Sequence, residues 1–158
     1  MGLPWSMEDA VETVLHVEDD EDDISLLERA FGRTGFPHRL QTVKSGDDAI
    51  AYLSGDGQYA DRQEFPLPTL LLLDIKLPRK DGFEVLDWIR HHPKLAPLRV
   101  IMLTGSPRAE DVTRAYRMGV NSYVLKPVGA SALSDILSAI GIHWLQHSKV
   151  PDLKAFPA

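Results

Sequence analysis

Leu70-Leu71-Leu72-Leu73-Asp74 is an uninterrupted apolar run ended by a single carboxylate. Apolar residues without polar alternation fit a parallel strand covered on both faces. In an open α/β sheet, ligands bind beyond the C-terminal ends of the strands. Asp74 therefore stands where chemistry is done. Three other strand-like segments end in the same manner. Leu15-His16-Val17 runs into Glu18-Asp19-Asp20, Val100-Ile101-Met102-Leu103 into Thr104, and Tyr123-Val124-Leu125 into Lys126-Pro127. One strand-end carboxylate is ordinary. An acid cluster, an aspartate, a threonine and a lysine on four core strands make a site.

Outward from that run, strand patterns fall at 13–17, 39–43, 69–73, 98–103 and 122–125. Helical spacing predicts helices over 21–34, 46–54, 82–91, 107–118 and 130–146. Ser106-Pro107 reads as a cap followed by a first-turn proline, and Gly119 as a left-handed C-cap. Residues 55–68 carry Gly, Pro and charge without periodicity and read as a long surface loop, of a length often functional or mobile. Strands alternating with helices predict a doubly wound α/β fold, a five-stranded parallel sheet in flavodoxin-like order 2-1-3-4-5 with helices on both faces. In that order strands 1 and 3 flank the switch point, which sets Glu18 and Asp19 beside Asp74. The division expected is an N-terminal arm over 1–11, the α/β domain over 12–147 and a C-terminal tail over 148–158.

The chain has 158 residues, enough for one domain with a substantial core. A net charge of −6 argues against a nucleic-acid-binding surface. No apolar run approaches the roughly 20 residues of a membrane span, and the N-terminus lacks a secretory pattern. Zero cysteines exclude disulfides and thiolate metal sites and agree with a cytoplasmic protein. Residues 18–23 are all acidic. A solvated helix start explains Glu21, Asp22 and Asp23, but not Glu18 and Asp19 on a strand end.

Carboxylates converging from adjacent loops raise one another's pKa unless a cation joins them. With no cysteine or histidine at these points the ligands are all oxygen, which favours Mg²⁺, with Mn²⁺ or Ca²⁺ as alternatives. Thr104 offers a hydroxyl and Lys126 a compact charge for the equatorial oxygens of a phosphoryl group. Asp74 could attack phosphorus and form an acyl phosphate.

Taken together, VEDD at 17–20, LLLDIKLPRKDG at 71–82, LTGS at 103–106 and YVLKP at 123–127 resemble the receiver domain of two-component response regulators. The resemblance spans roughly 12–146. It implies that Asp74 accepts a phosphoryl group from a sensor histidine kinase or a phosphotransfer protein. It also implies that Asp19 ligates Mg²⁺ or Mn²⁺ with Glu18 in support, and that the Lys76 backbone carbonyl is a further ligand beside Asp74. Thr104 and Lys126 would bind the phosphoryl group, the Lys126–Pro127 peptide would be cis, and Tyr123 would be the aromatic that turns inward on activation. The 55–68 loop, LPRKDG and the Gly141-Ile142-His143-Trp144-Leu145 ending are similar to stand-alone regulators that lack an output domain, including those partnered with bacterial phytochromes. Such a protein signals through contacts with a downstream protein target and catalyses only its own phosphorylation and dephosphorylation. Lys76 is a departure, since these regulators often carry Asn there.

A haloacid-dehalogenase-type phosphatase also uses a strand-end Asp, a Thr and a Lys. It needs a second acid two residues after the nucleophile, where this chain has Lys76. A degenerate receiver that signals without phosphorylation is opposed by the intact residue set. No G-x-x-x-x-G-K-[ST] or G-x-G-x-x-G occurs, which disfavours nucleotide enzymes. His91 and His92 point to different sides of a helix. His143 and His147 have metal-binding spacing but no third ligand, so they read as surface residues. The last helix is apolar on more than one side: Leu133, Ile136, Leu137, Ile140 and Trp144 cover the sheet, leaving Ala132, Ala139, Ile142 and Leu145 for a second contact. This predicts a homodimer.

Overall fold

Backbone pairing at the centre of the molecule follows from the four-leucine run. The computed structural model describes residues 11–149 and 153. Its strands are β1 Thr13–Val17, β2 Arg39–Val43, β3 Leu70–Leu73, β4 Arg99–Thr104 and β5 Ser122–Leu125. All pairings are parallel, and the order is β2-β1-β3-β4-β5. Every residue of β1, β3 and β4 is buried, as strands covered on both faces must be. The helices are α1 Glu21–Arg33, α2 Gly46–Ser54, α3 Gly82–His91, α4 Ala109–Arg117 and α5 Ala130–Ile140. Residues 1–10 of the expected arm and most of the expected tail lie outside the described residues.

Strand alternation sorts the core into two layers. Leu15, Val17, Leu71, Leu73, Val100 and Met102 face α2, α3 and α4, where Tyr52, Phe83, Leu86 and Ile89 fill the layer. Val14, Leu70, Leu72, Ile101 and Leu103 face the other way, under Leu27, Ala30 and Phe31 of α1 and Leu133 and Leu137 of α5. The apolar periodicity of each helix therefore meets a complementary strand face.

Helix starts are capped by side chains. Asp20 accepts from Asp23 N at 2.9 Å, Ser45 from Asp48 N at 3.0 Å, and Asp81 from Glu84 N at 2.9 Å. Each satisfies a backbone donor that the first helical turn leaves without a partner. α4 differs from expectation. It begins at Ala109 rather than 107: the Ser106 hydroxyl donates to Asp111 Oδ2 at 2.6 Å and accepts from Arg108 N at 3.4 Å, and Arg108 stands at the N-cap without a side-chain bond. Gly119 follows it with φ 93°, in the left-handed region expected. The last helix also differs: α5 ends at Ile140 and the chain continues as a π-helical turn, Gly141–His147. Gly141 lies against Phe36 so closely that a Cβ would fall 2.0 Å from the ring. Arg99 Nη1 donates to the Trp144 carbonyl at 2.7 Å, with the guanidinium over the indole. Trp144 and Leu145 pack against the α1/α5 layer.

The 55–68 connection is pinned rather than loose. Arg62 donates to the carbonyls of Tyr52 (2.8 Å) and Leu53 (3.0 Å), closing the end of α2. Tyr52, Tyr59 and Phe65 stack edgewise with ring centroids 5.1–5.9 Å apart, and Tyr52 Oη donates to Pro66 O at 2.8 Å. A cation on carbonyls and three rings leave no periodic trace in sequence.

Gly82 decides how β3 meets α3. Its N–H donates to Ile75 O at 2.8 Å, and a Cβ there would lie 2.2 Å from the Asp74 carbonyl oxygen. Gly82→Ala is expected to destabilise the fold by about 1–3 kcal/mol through backbone displacement. Gly105→Ala, whose Cβ would meet nothing within 4 Å, should stay within about 0.5 kcal/mol of wild type. Urea denaturation of the two variants measures the contrast.

Candidate functional site

Parallel pairing runs one residue past the strands and fixes the site. Asp74 N donates to Val17 O at 3.2 Å, Glu18 N to Val43 O at 3.0 Å, and Lys126 N to Thr104 O at 2.8 Å. Glu18, Asp74, Thr104 and Lys126 thus sit on one sheet edge as extensions of four neighbouring strands. The Lys126 ammonium donates to Glu18 Oε1, to Asp74 Oδ2 at 2.7 Å and to Asp23 Oδ2 at 2.9 Å. Its three donors are all taken. Asp74 Oδ1 accepts from Ile75 N at 2.7 Å, and Glu18 Oε2 from Asp19 N at 3.1 Å.

Glu18, Asp74 and Thr104 are buried, and burial opposes charge on each carboxylate. At Glu18 it prevails: despite Lys126, burial and the Asp74 charge push the carboxyl up to about 7. At Asp74 burial also pushes upward, but the Lys126 hydrogen bond and charge, with the Thr104 hydroxyl and Glu18, outweigh it and hold the carboxyl below its ordinary value. Burial works against the Lys126 charge, and bonds to Asp74, Glu18 and Asp23 overcome that and raise its pKa. Asp74 is therefore kept ionised inside a desolvated edge.

A cleft of about 370 Å³ opens over these groups. Glu18, Asp19, Asp20, Asp23 and Asp74 line it against only two ammonium groups, Lys76 and Lys126. Among the described residues, no three acids or histidines are already arranged to hold a metal ion. Lys126 occupies the middle of the buried carboxylates, and Asp19 stands exposed at the rim. Lys76 is exposed, its N–H 3.4 Å from Asp74 Oδ1. Tyr123 is half-buried beside the cleft. Its hydroxyl donates to Ser106 O at 2.8 Å, and its N–H to Tyr116 Oη at 3.2 Å. No peptide among the described residues is cis, so Lys126–Pro127 is trans, unlike the geometry implied by the resemblance. The His147 side chain lies outside the described residues.

Two participants are absent from the sequence motifs. Asp23 belongs to the acidic start of α1, yet its carboxylate reaches Lys126. Asp20 caps the same turn, and a cap three residues before Asp23 was the available signal. His16 is buried in β1 behind the carboxylates; burial first, then the Lys126 charge, lower its pKa to about 4.

The family model for the response regulator receiver domain matches residues 14–138. The chain belongs to the response regulator receiver family. The receiver is 34% identical over 138 residues to response regulator Rcp1 of Synechocystis, covering 87% of this chain and 92% of that protein. The solved structure of the phosphorylated cyanobacterial phytochrome response regulator RcpA has a TM-score of 0.83 and 36% identity, covering 90% of this chain and all of that one. RPA3017, a response regulator in red light signalling of R. palustris, has a TM-score of 0.85 and 31% identity, covering 90% and 99% of the two chains. Rcp1 itself is described in a Mn²⁺-bound form, with a TM-score of 0.78 to this receiver.

The counter-charge at Asp74 can be tested directly. In Lys126→Met the burial stays and the cation goes, so the Asp74 carboxyl should titrate above its ordinary value instead of below it. Carboxyl ¹³C NMR against pH, without divalent metal, reads the reversal.

Proposed function

We propose that this receiver is a stand-alone response regulator that takes a phosphoryl group onto Asp74 from a sensor histidine kinase or a phosphotransfer protein. The observation that carries the reading is the bond from Lys126 to an ionised, buried Asp74, beside Thr104 at the switch point of the sheet. An anionic Asp74 oxygen is a competent nucleophile, and its orientation is fixed by Ile75 N–H and Lys126. As the new O–P bond forms and the donor's P–N bond breaks, the Lys126 ammonium and the Thr104 hydroxyl face the charge that spreads over the phosphoryl oxygens. The leaving imidazole of the donor takes the electron pair.

The residues fit a hard divalent cation, Mg²⁺ or Mn²⁺. The cleft carries surplus carboxylates of pure oxygen chemistry, five of them against two ammonium groups. Asp19, Asp74 and the Lys76 carbonyl would hold it with Glu18 in support, and when bound it would neutralise charge on the transferred group. Catalysis is confined to the receiver's own phosphorylation and dephosphorylation. The likeness to RcpA, a cyanobacterial phytochrome response regulator, supports a bacterial phytochrome as the kinase partner. We place the receiver, taken as 12–147 between its arm and tail, in the cytoplasm. No described helix is long and apolar enough to cross a membrane.

Output passes through a protein surface that also forms a homodimer. Leu145 of the last helix packs partly into the α1/α5 layer, and a more exposed apolar face lies beside the cleft. Tyr116 (51% exposed), Leu125 (49%) and Val128 (99%) place large apolar groups on α4, β5 and the turn after Lys126. Tyr123, joined to Tyr116, links that face to the cleft. Exposed apolar groups clustered around a switch mark a contact surface.

With acetyl phosphate and Mg²⁺, the wild type should gain one phosphoryl group in intact mass and Asp74→Asn none. Equal labelling of Asp74→Asn would overturn the assignment. Asp19→Ala should weaken Mg²⁺ binding at least about tenfold, or about 1.4 kcal/mol, by isothermal titration. In sedimentation, Leu125→Glu with Val128→Glu should shift any dimer to monomer, and a wild type monomeric in both phosphorylation states would remove the dimer.

A further inference from the structure

His16 is the polar exception on its face of β1. Alternation places it on the side of Val14, against the apolar layer of α1 and α5. It is 2% exposed, and among the described residues no group pairs with its Nδ1. Buried polar atoms are almost always hydrogen-bonded, and an exception calls for a ligand or a role. Against this imidazole lies a small, partly open cavity of about 30 Å³, lined by Leu26, Leu133 and Pro127 and by Glu18, Asp23 and Lys126. The same three charged residues line the open cleft above Asp74, so the two spaces share Glu18, Asp23 and Lys126.

A water needs about 10–15 Å³ and two to four polar partners. The cavity meets both requirements, whereas a wholly apolar space of this size would stay dry. Lys126 has no donor left for a fourth partner, but the Glu18 and Asp23 carboxylates keep accepting capacity. We propose that this cavity binds a single water that donates one O–H to His16 Nδ1 and the other to a carboxylate oxygen of Glu18 or Asp23. His16 is thereby a positioning residue for the carboxylate cage that aims Lys126. The water site stands on the cavity and the imidazole; the positioning role rests on the phospho-acceptor reading above.

A neutral imidazole protonated on Nε2 leaves Nδ1 free to accept. Apolar packing alone would be served equally by leucine, so leucine is the decisive replacement. His16→Asn sets an amide oxygen near the former Nδ1 and is the rescuing one.

The test combines NMR with acetyl phosphate labelling on the full chain. In the wild type, long-lived water cross-peaks should appear at the Leu26 and Leu133 methyls, and the His16 ¹⁵N shifts should report Nε2–H with an accepting Nδ1. His16→Leu should lose the cross-peaks and label Asp74 about three- to tenfold more slowly. His16→Asn should retain both the water and most of the rate. A wild type without the cross-peaks, or with the proton on Nδ1, overturns the water site. A His16→Leu variant that is folded by its NMR spectrum and labels at the wild-type rate overturns the positioning role. A wild type that shows the water but takes no phosphoryl group overturns the phospho-acceptor reading and the role built on it, and leaves the water site established.

Discussion

Charge compensation at one sheet edge is the constraint on which the rest of the molecule turns. An aspartate and a glutamate driven inward by parallel pairing would both be forced toward neutrality by desolvation. Lys126 prevents this at Asp74 and only partly at Glu18. The asymmetry separates two neighbouring acids into one that stays anionic and one that remains under strain. A buried ion pair is weak evidence of stability and better evidence of a geometry that must be held. Here the capping of α1 by Asp20, the Gly82 approach to Asp74 and the continued β4–β5 ladder all converge on holding it.

The architecture was legible because its strongest signals are one-dimensional. Leu70 to Leu73 could only be an interior strand, and the alternation of strand and helix patterns left few topologies open. The strand-end residues then named most of the site, since in a parallel sheet the residue after the last paired one has a fixed place. Asp23 was hidden by its own plausibility: an acid in the first turn of a helix already has an explanation in the dipole. The same applies to Ser106, whose position before a proline suggests a cap, while its hydroxyl serves Asp111 and its carbonyl serves Tyr123.

Periodicity also misleads where packing is irregular. Residues 130–146 carry one helical pattern, but a ring against Gly141 and a guanidinium on the Trp144 carbonyl change the winding within it. Residues 55–68 carry no pattern, yet Arg62 and the aromatic trio tie them to α2 as firmly as a secondary element would. In both places an arginine addresses backbone carbonyls, an interaction that depends on three-dimensional approach and leaves nothing in the spacing of residues.

The distance along the chain between the partners has its own meaning. Glu18 and Lys126 are 108 residues apart, the first near the beginning of the domain and the second just past its last strand. During synthesis the acids of β1 and β3 emerge long before the cation that relieves them. Domains complete themselves only as their last elements leave the ribosome, so a partly made receiver holds unrelieved negative charge at the place where its chemistry will occur. A fragment ending before β5 has Asp74 without its counter-ion, so the charge balance of this edge is tied to completion of the fold.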